Sequence, residues 1–251
     1  MLNRNLIDRR RAPLAALALL SFPLVAQDQP PPQMMVITTT TIKPEMRQQY
    51  EAYQKEVSAA YKKAGVASRS VWQTMLGDLT EFVSVYPIQD FGAMDGDSPV
   101  VKAVGQEKAD ELLRRSSPML TSVHRGLLFA RPDLSIMKEG GPQLLPYAVI
   151  VRITVVPGRD SDYDHWAKHE MLPANKQGGA AQLLVFDALF NGSTEHVVVY
   201  PIEKMAALNA GPPSWKMEGG RAAAEKMGAR TNGIVADEKL TIARYRADLS
   251  Y

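Results

Sequence analysis

The chain has 251 residues, of which 45% are hydrophobic, with 29 basic and 27 acidic side chains and no cysteine. The missing thiols exclude disulfides, thiolate metal centres, iron–sulfur clusters and cysteine nucleophiles. A net charge of +2 supplies no electrostatic footprint for nucleic acid or an anionic membrane surface.

Residues 1–26 read as a secretory signal peptide. Arg4, Arg9, Arg10 and Arg11 precede an apolar run from Ala12 to Ala26 that ends Leu24-Val25-Ala26, the charged, apolar and small-residue order of a leader. The run is 15 residues long and contains Pro13 and Pro23. A membrane-spanning helix needs roughly 20 apolar residues, so no permanent anchor is expected and the protein is expected in the periplasm or outside the cell. The leader carries those four arginines and Asp8; without it, 25 basic and 26 acidic side chains remain. Residues 27–33, with three consecutive prolines, read as an extended spacer.

From residue 34 onward the chain repeats itself. Glu81-Phe82-Val83-Ser84-Val85-Tyr86-Pro87-Ile88 returns as Glu195-His196-Val197-Val198-Val199-Tyr200-Pro201-Ile202, 114 positions later. Pro44 and Tyr50 recur as Pro157 and Tyr163 at an offset of 113, and Arg131-Pro132-Asp133-Leu134-Ser135 recurs as Arg246-Ala247-Asp248-Leu249-Ser250 at 115. So slow a drift indicates two copies of one folding unit: residues 34–135 and 147–251, joined by a linker at 136–146.

Each copy reads strand, helix, strand, strand, helix, strand. In the second, Tyr147, Val149, Val151, Ile153 and Val155 alternate as a strand. Pro157-Gly158 ends it, Asp160 or Ser161 is a candidate N-cap, and Tyr163, Trp166, Ala167 and Met171 mark a helix over about 162–171. A hairpin follows in each copy, with arms at 70–76 and 81–86 or 183–189 and 195–200, turning at Gly77-Asp78 or Asn191-Gly192. A second helix is expected over 107–115 and 221–226, and a last strand over 126–130 and 241–246.

This is the βαββαβ order of a ferredoxin-like unit. The expected fold is α+β: two such units whose sheets cover each other to form a barrel within one chain. Val83 and Val85, like Val197 and Val199, form a purely apolar face expected under the helices. The alternate face, with Phe82 and Tyr86 or His196, Val198 and Tyr200, is expected to meet the other sheet, beside Thr39 and Thr41 or Arg152 and Thr154.

The repeat pattern and the run Tyr163-Asp164-His165-Trp166-Ala167-Lys168-His169-Glu170-Met171-Leu172-Pro173 resemble the dimeric α/β-barrel superfamily. That group includes antibiotic-biosynthesis monooxygenases, EthD-like proteins and NIPSNAP-like proteins. The His-Trp run looks EthD-like, and the Val-Tyr-Pro-Ile strand ends look NIPSNAP-like. The resemblance implies a barrel, here made by one chain as a pseudo-dimer, with further homo-oligomerisation open. It also implies chemistry ranging from cofactor-free oxygenation of aromatic compounds to polyketide cyclisation and haem breakdown.

The candidate catalytic residues are His169 and His196, because imidazole titrates in the range useful for proton transfer. Arg152, placed one strand from His196, is expected to join a polar cluster with it; Trp166, Tyr200 and Trp215 complete the candidate ligand-binding set. His165 and His169 stand four apart on the helix, yet there is no His-Glu-x-x-His pattern, so a solvated face is expected there rather than a metal. No cofactor is expected. The first copy has Ala52, Glu56 and Phe82 where the second has His165, His169 and His196, which points to a working site between 147 and 250. Two functions follow as expectations: an exported oxygenase or cyclase acting on an aromatic or polyketide-like compound, or a non-catalytic module sequestering an apolar ligand in the envelope.

Overall fold

The computed structural model describes residues 34–138, 143–189 and 195–251. The leader, the proline spacer, Gly140-Gly141-Pro142 of the linker and the Asn191-Gly192 turn lie outside the described residues.

Eight antiparallel strands close into a barrel. They are β1 (Met34–Ile42), β2 (Ser70–Leu76), β3 (Glu81–Ile88), β4 (Leu120–Ala130), β5 (Tyr147–Val155), β6 (Leu184–Leu189), β7 (Glu195–Ile202) and β8 (Val235–Tyr245). The order round the barrel is β1-β3-β2-β8-β5-β7-β6-β4. Six α-helices are present among the described residues: α1 (Arg47–Lys63), α2 (Pro99–Val104), α3 (Gln106–Ser116), α4 (Asp160–Trp166), α5 (Leu172–Gln177) and α6 (Gly220–Gly228).

The two halves share one strand order, and each ladder of the first recurs in the second in the same register. Thr38 pairs with Ser84 where Val151 pairs with Val198, and Ser70 pairs with Val85 where Leu184 pairs with Val199. The seams match over their first three pairs, Trp72 lying opposite Tyr245 as Phe186 lies opposite Ala130, after which only the β2–β8 seam shifts register, between Thr74 and Leu76. Even the register shift at Thr41/Ile42 has its counterpart at Thr154/Val155. A one-residue slip would turn every side chain to the other face, so these registers fix corresponding positions.

Helix α1 buries Tyr50, Gln54, Val57, Ser58, Ala60 and Tyr61, a helical stripe laid on the sheet. Beneath it Ile42, Val71, Phe82, Met119 and Leu249 form one core. In the second half Ile153, Val155, Tyr163, Ala167, Met171, Val185 and Val198 form the other. Burying each large side chain contributes roughly 1.5–3 kcal/mol.

The cores reverse the expected faces. Phe82, His196, Val198 and Tyr200 lie under the helices, and the valines at 83, 85, 197 and 199 point into the barrel. The apolar alternation was genuine but did not determine its direction, because the barrel interior also excludes water. Arg152 pairs with Val197 whereas His196 pairs with Ile153, so Arg152 and His196 stand on opposite faces and form no joint cluster.

Several element bounds also differ from expectation. The last strands begin at Leu120 and Val235, because their first halves run exposed to the barrel rim and carry little apolar signal. The first helix of the second half does not stop at Leu172-Pro173. It passes through a π-helical segment, Ala167–Met171, into α5. A proline inside a plain α-helix removes a bond and clashes with the preceding turn; the widened turn accommodates Pro173. It also holds one extra residue, which is where the offset between corresponding positions of the two halves passes from 113 to 114. The helix begins at Asp160 itself, with Arg159 at the N-cap and no side-chain cap.

Candidate functional site

Between α4 and the outer face of β6 and β7, the ladder sets Asp187 beside His196. Asp187 Oδ1 lies 2.8 Å from His196 Nδ1, and the His196 side chain is 5% exposed. The imidazole stacks on the Tyr163 ring, centroids 4.3 Å apart and planes 24° apart. Arg131, just past the end of β4, supports this pair from the first half. Its guanidinium donates to Asp187 Oδ2 at 3.0 Å, to both oxygens of Asp164 at 3.1 and 3.2 Å, and to both of Asp133 at 3.0 Å. Burial alone would raise the Asp187 carboxyl; the His196 hydrogen bond and the Arg131 charge outweigh it and hold Asp187 below the usual range.

Three polar atoms in this layer are buried without a hydrogen-bond partner among the described residues: His196 Nε2, Tyr163 Oη and Asn175 Oδ1. Buried polar groups are nearly always paired, so each such atom calls for a cause. Burial pushes the Tyr163 hydroxyl well up, and the Tyr200 hydroxyl up to about 12, with the Asn175 side chain offsetting part of the rise at Tyr200. An imidazole held through Nδ1 by a carboxylate, with Nε2 free in a water-poor layer, is an oriented proton acceptor. The Tyr163 phenol stacked on the imidazole can hold a hydroxyl or carbonyl of a bound molecule; the Asn175 amide sits farther along the layer, against Tyr200.

The first half carries the same frame without this pair. Arg246 donates to both oxygens of Asp248 at 2.8 Å, to Glu51 at 2.7 and 3.0 Å, and to Gln73 at 2.9 Å. Gln73 corresponds to Asp187, and Phe82 to His196. Tyr50 meets Phe82 with centroids 5.0 Å apart, as Tyr163 meets His196. The fold therefore closes equally well with an amide and a phenyl ring at these places.

Of the residues singled out by sequence, His196, Trp166 and Tyr200 belong to this layer. Trp166 is half-buried, 5.8 Å from the Tyr163 ring, and its indole N–H donates to Met227 O at 3.2 Å. His169 is exposed on the π segment, its ring 4.4 Å from that of His165, and does not join the cluster. Trp215 lies against Gly211, where a Cβ would come within 2.0 Å of the indole, and under the Arg221 guanidinium at 4.5 Å. Arg152 sits inside the barrel, 3.5 Å from Glu81 Oε2, in a polar cavity of about 410 Å³ that also contains Glu195 and Lys239. No group of three or more metal-ligating side chains is gathered among the described residues.

Sequence reasoning missed Asp187, Arg131, Tyr163 and Asn175 as site residues. A signal for Asp187 was present: a hairpin turning at Asn191-Gly192 sets residue 187 opposite 196.

No family model matches the sequence, and no curated protein does either. Solved structures do match in fold. A candidate monooxygenase from Lactobacillus acidophilus is 13% identical, with a TM-score of 0.54 over 87% of this chain and 95% of that one. A candidate monooxygenase from Fusobacterium nucleatum gives 12% and 0.57, over 86% and 94%. An anthrone oxidase-like protein gives 13% and 0.62, over 85% and 91%. These neighbours are dimeric α/β-barrel proteins. The chain is accordingly an α+β protein with a closed eight-stranded antiparallel barrel of that architecture. At such identities the likeness concerns fold alone.

Proposed function

We propose that this protein is a small-molecule enzyme of the oxygenase kind, acting on a hydroxylated aromatic compound without a resident metal or cofactor. The observation that carries the reading is the Asp187–His196 pair with its buried, unpartnered Nε2, in a frame whose other copy does without it. In this reading His196 Nε2 takes a proton from the substrate, Asp187 and Arg131 hold the imidazole and balance the charge that forms, and the electron-rich substrate anion reacts with dioxygen. Tyr163 orients the substrate oxygen. Neighbours described as candidate monooxygenases and as anthrone oxidase-like support the reaction class.

The wider reading goes with it. The repeated registers favour a tandem duplication of a ferredoxin-like unit, and the His-Trp run favours the EthD-like subgroup. The charged and apolar first 26 residues favour export, so that the enzyme would work in the periplasm or outside the cell. The closed state of the layer, with His196 only 5% exposed, favours a second reading: a non-catalytic module that sequesters an apolar ligand.

Oxygen uptake with an anthrone as substrate separates the two. Replacing Asp187→Gln and His196→Phe together installs residues the frame already accepts in its first half, so folding is expected to be unchanged by circular dichroism. Loss of an oriented general base is expected to lower turnover by roughly 10²–10⁴-fold. Uptake that survives the double replacement removes these residues from the mechanism; saturable binding with no uptake in the wild type favours the sequestering module.

A further inference from the structure

The first half holds a second feature that the proton-transfer layer does not use. A cleft of about 1060 Å³ lies between α1, the end of β3, and helices α2 and α3. Tyr61 and Tyr86 form one wall, edge to face with centroids 5.0 Å apart. Leu112 and Val101 supply apolar surface opposite, and Arg125 lies at the rim. Behind the Tyr61 ring, 5.4 Å from its centroid, sits the guanidinium of Arg69.

Arg69 is 4% exposed. It donates to Gln54 Oε1 and Ser58 Oγ, each at 2.6 Å. Both are neutral, and among the described residues no carboxylate lies within ion-pair distance. A buried cation without a counter-ion is costly to keep, and its field is little screened across a low-dielectric wall. Arg125 is likewise held by a neutral group, Thr38 Oγ1 at 3.3 Å. Three carboxylates, Asp90, Asp97 and Asp110, and Lys102 line the outer parts of the cleft; Asp90 accepts from Ala93 N–H and Asp110 from Gln106, whereas the charges acting on the Tyr86 hydroxyl at the aromatic wall are those of Arg125 and Arg69.

The second half closes the same space. Ala64 corresponds to Gly178, where a Cβ would stand 1.8 Å from Pro213 O; Pro213 corresponds to Pro99, which lines the cleft. Tyr61, Arg69 and Arg125 correspond to Asn175, Leu183 and Leu240. The open space, the edge-to-face phenols and the two arginines held only by neutral groups thus occur together in the first half.

We propose that this cleft binds a flat aromatic molecule carrying one acidic group, its rings on Tyr61 and Tyr86 and its anion toward Arg125. The aromatic wall offers stacking surface, and the cations behind and beside it select for negative charge. The proposal is independent of the function assigned to His196.

Fluorescence titration of the purified chain with anilinonaphthalene sulfonate and with the uncharged phenylnaphthylamine tests it. The sulfonate is expected to saturate a single site and to bind roughly tenfold tighter, the worth of one charge-assisted contact. Arg125→Gln is expected to erase most of that difference while the uncharged probe is unaffected. Ala64→Trp fills the cleft and is expected to abolish both; if that variant melts early, Val101→Trp from the opposite wall replaces it. Equal affinity for the two probes, or sulfonate binding that persists with the cleft filled, overturns the proposal.

Discussion

The two helix–sheet layers are built on the same ladders and braced by corresponding arginines, yet they bury their polar atoms in different places. In the first half the buried polar group is Arg69 with Gln54 and Ser58, below the middle of α1. In the second half the positions of Gln54 and Arg69 are Ala167 and Leu183, both fully buried and apolar. There the polar group is Asp187 with His196, where the first half has Gln73 and Phe82. Each layer therefore serves as a control for the other. A residue that one half does without is not required by the frame, and the differences mark where chemistry, rather than folding, has set the choice.

Breaking what the halves share is expected to have the largest effect. The two arginines are largely buried, but their carboxylate partners are a quarter to a half exposed and screened by solvent, so removing an arginine is expected to cost roughly 2–3 kcal/mol, less than breaking a fully buried pair. Arg131→Met and Arg246→Met are each expected to lose about that much in denaturant unfolding at neutral pH. Hydrogen bonds from the arginines outweigh burial and lower the carboxyls of Asp133, Glu51 and Asp248; at Asp187, burial is outweighed by His196 and Arg131 together. A group whose folded pKa is depressed adds stability above its unfolded pKa, about 4 for these carboxyls, and loses it as pH falls through the folded value. The gap between wild type and either variant should therefore narrow below about pH 4. A gap that stays constant to pH 2 would mean that the arginines act by packing alone.

How much of this was legible in the sequence follows from the same comparison. The α+β class, the closing of the sheets into one barrel and the approximate strands and helices along the chain could be read, because local patterning reports on backbone. Which strand face meets the helices could not: Val83 and Phe82 are both apolar enough for either side. His196 stood out only because Phe82 occupies its counterpart. Asp187 was hidden, since Gln73 against Asp187 is a small change on a strand whose register was not used. Arg131 was visible as part of a repeated segment with Asp133, but its other two carboxylate partners, Asp164 and Asp187, are in the other half, and nothing in the local sequence reveals a partner 56 positions away. The cleft beside Tyr61 depends on how closely Pro99 approaches Ala64, a tertiary distance without a local signature.

A smaller effect is expected from converting one layer toward the other. Arg69→Leu with Gln54→Ala and Ser58→Leu gives the first half the apolar interior of the second. Replacing a buried charged network by packed apolar side chains is often neutral or stabilising by about 1–4 kcal/mol. Unfolding midpoints at constant m-value would show the gain. A loss of more than about 1 kcal/mol, read against that range, would make the network a structural necessity of the first half and weaken the use of one layer as a control for the other.

The smallest change separates structure from function most directly. Tyr50 and Tyr163 occupy corresponding places, but Thr40 lies under the first hydroxyl and Ile153 under the second. Burial pushes Tyr50 up to about 12, with the Thr40 and Gln54 side chains offsetting part of the rise; Tyr163 Oη has no partner among the described residues. Tyr50→Phe therefore removes a satisfied group and is expected to cost about 1 kcal/mol. Tyr163→Phe removes an unsatisfied one and is expected to leave stability unchanged or raise it by up to about 1 kcal/mol. If Tyr163 orients a substrate oxygen, the same replacement lowers turnover while stability holds or rises. A purely structural hydroxyl cannot move the two quantities in opposite directions, so thermal melts and oxygen uptake on this single variant decide which role it has.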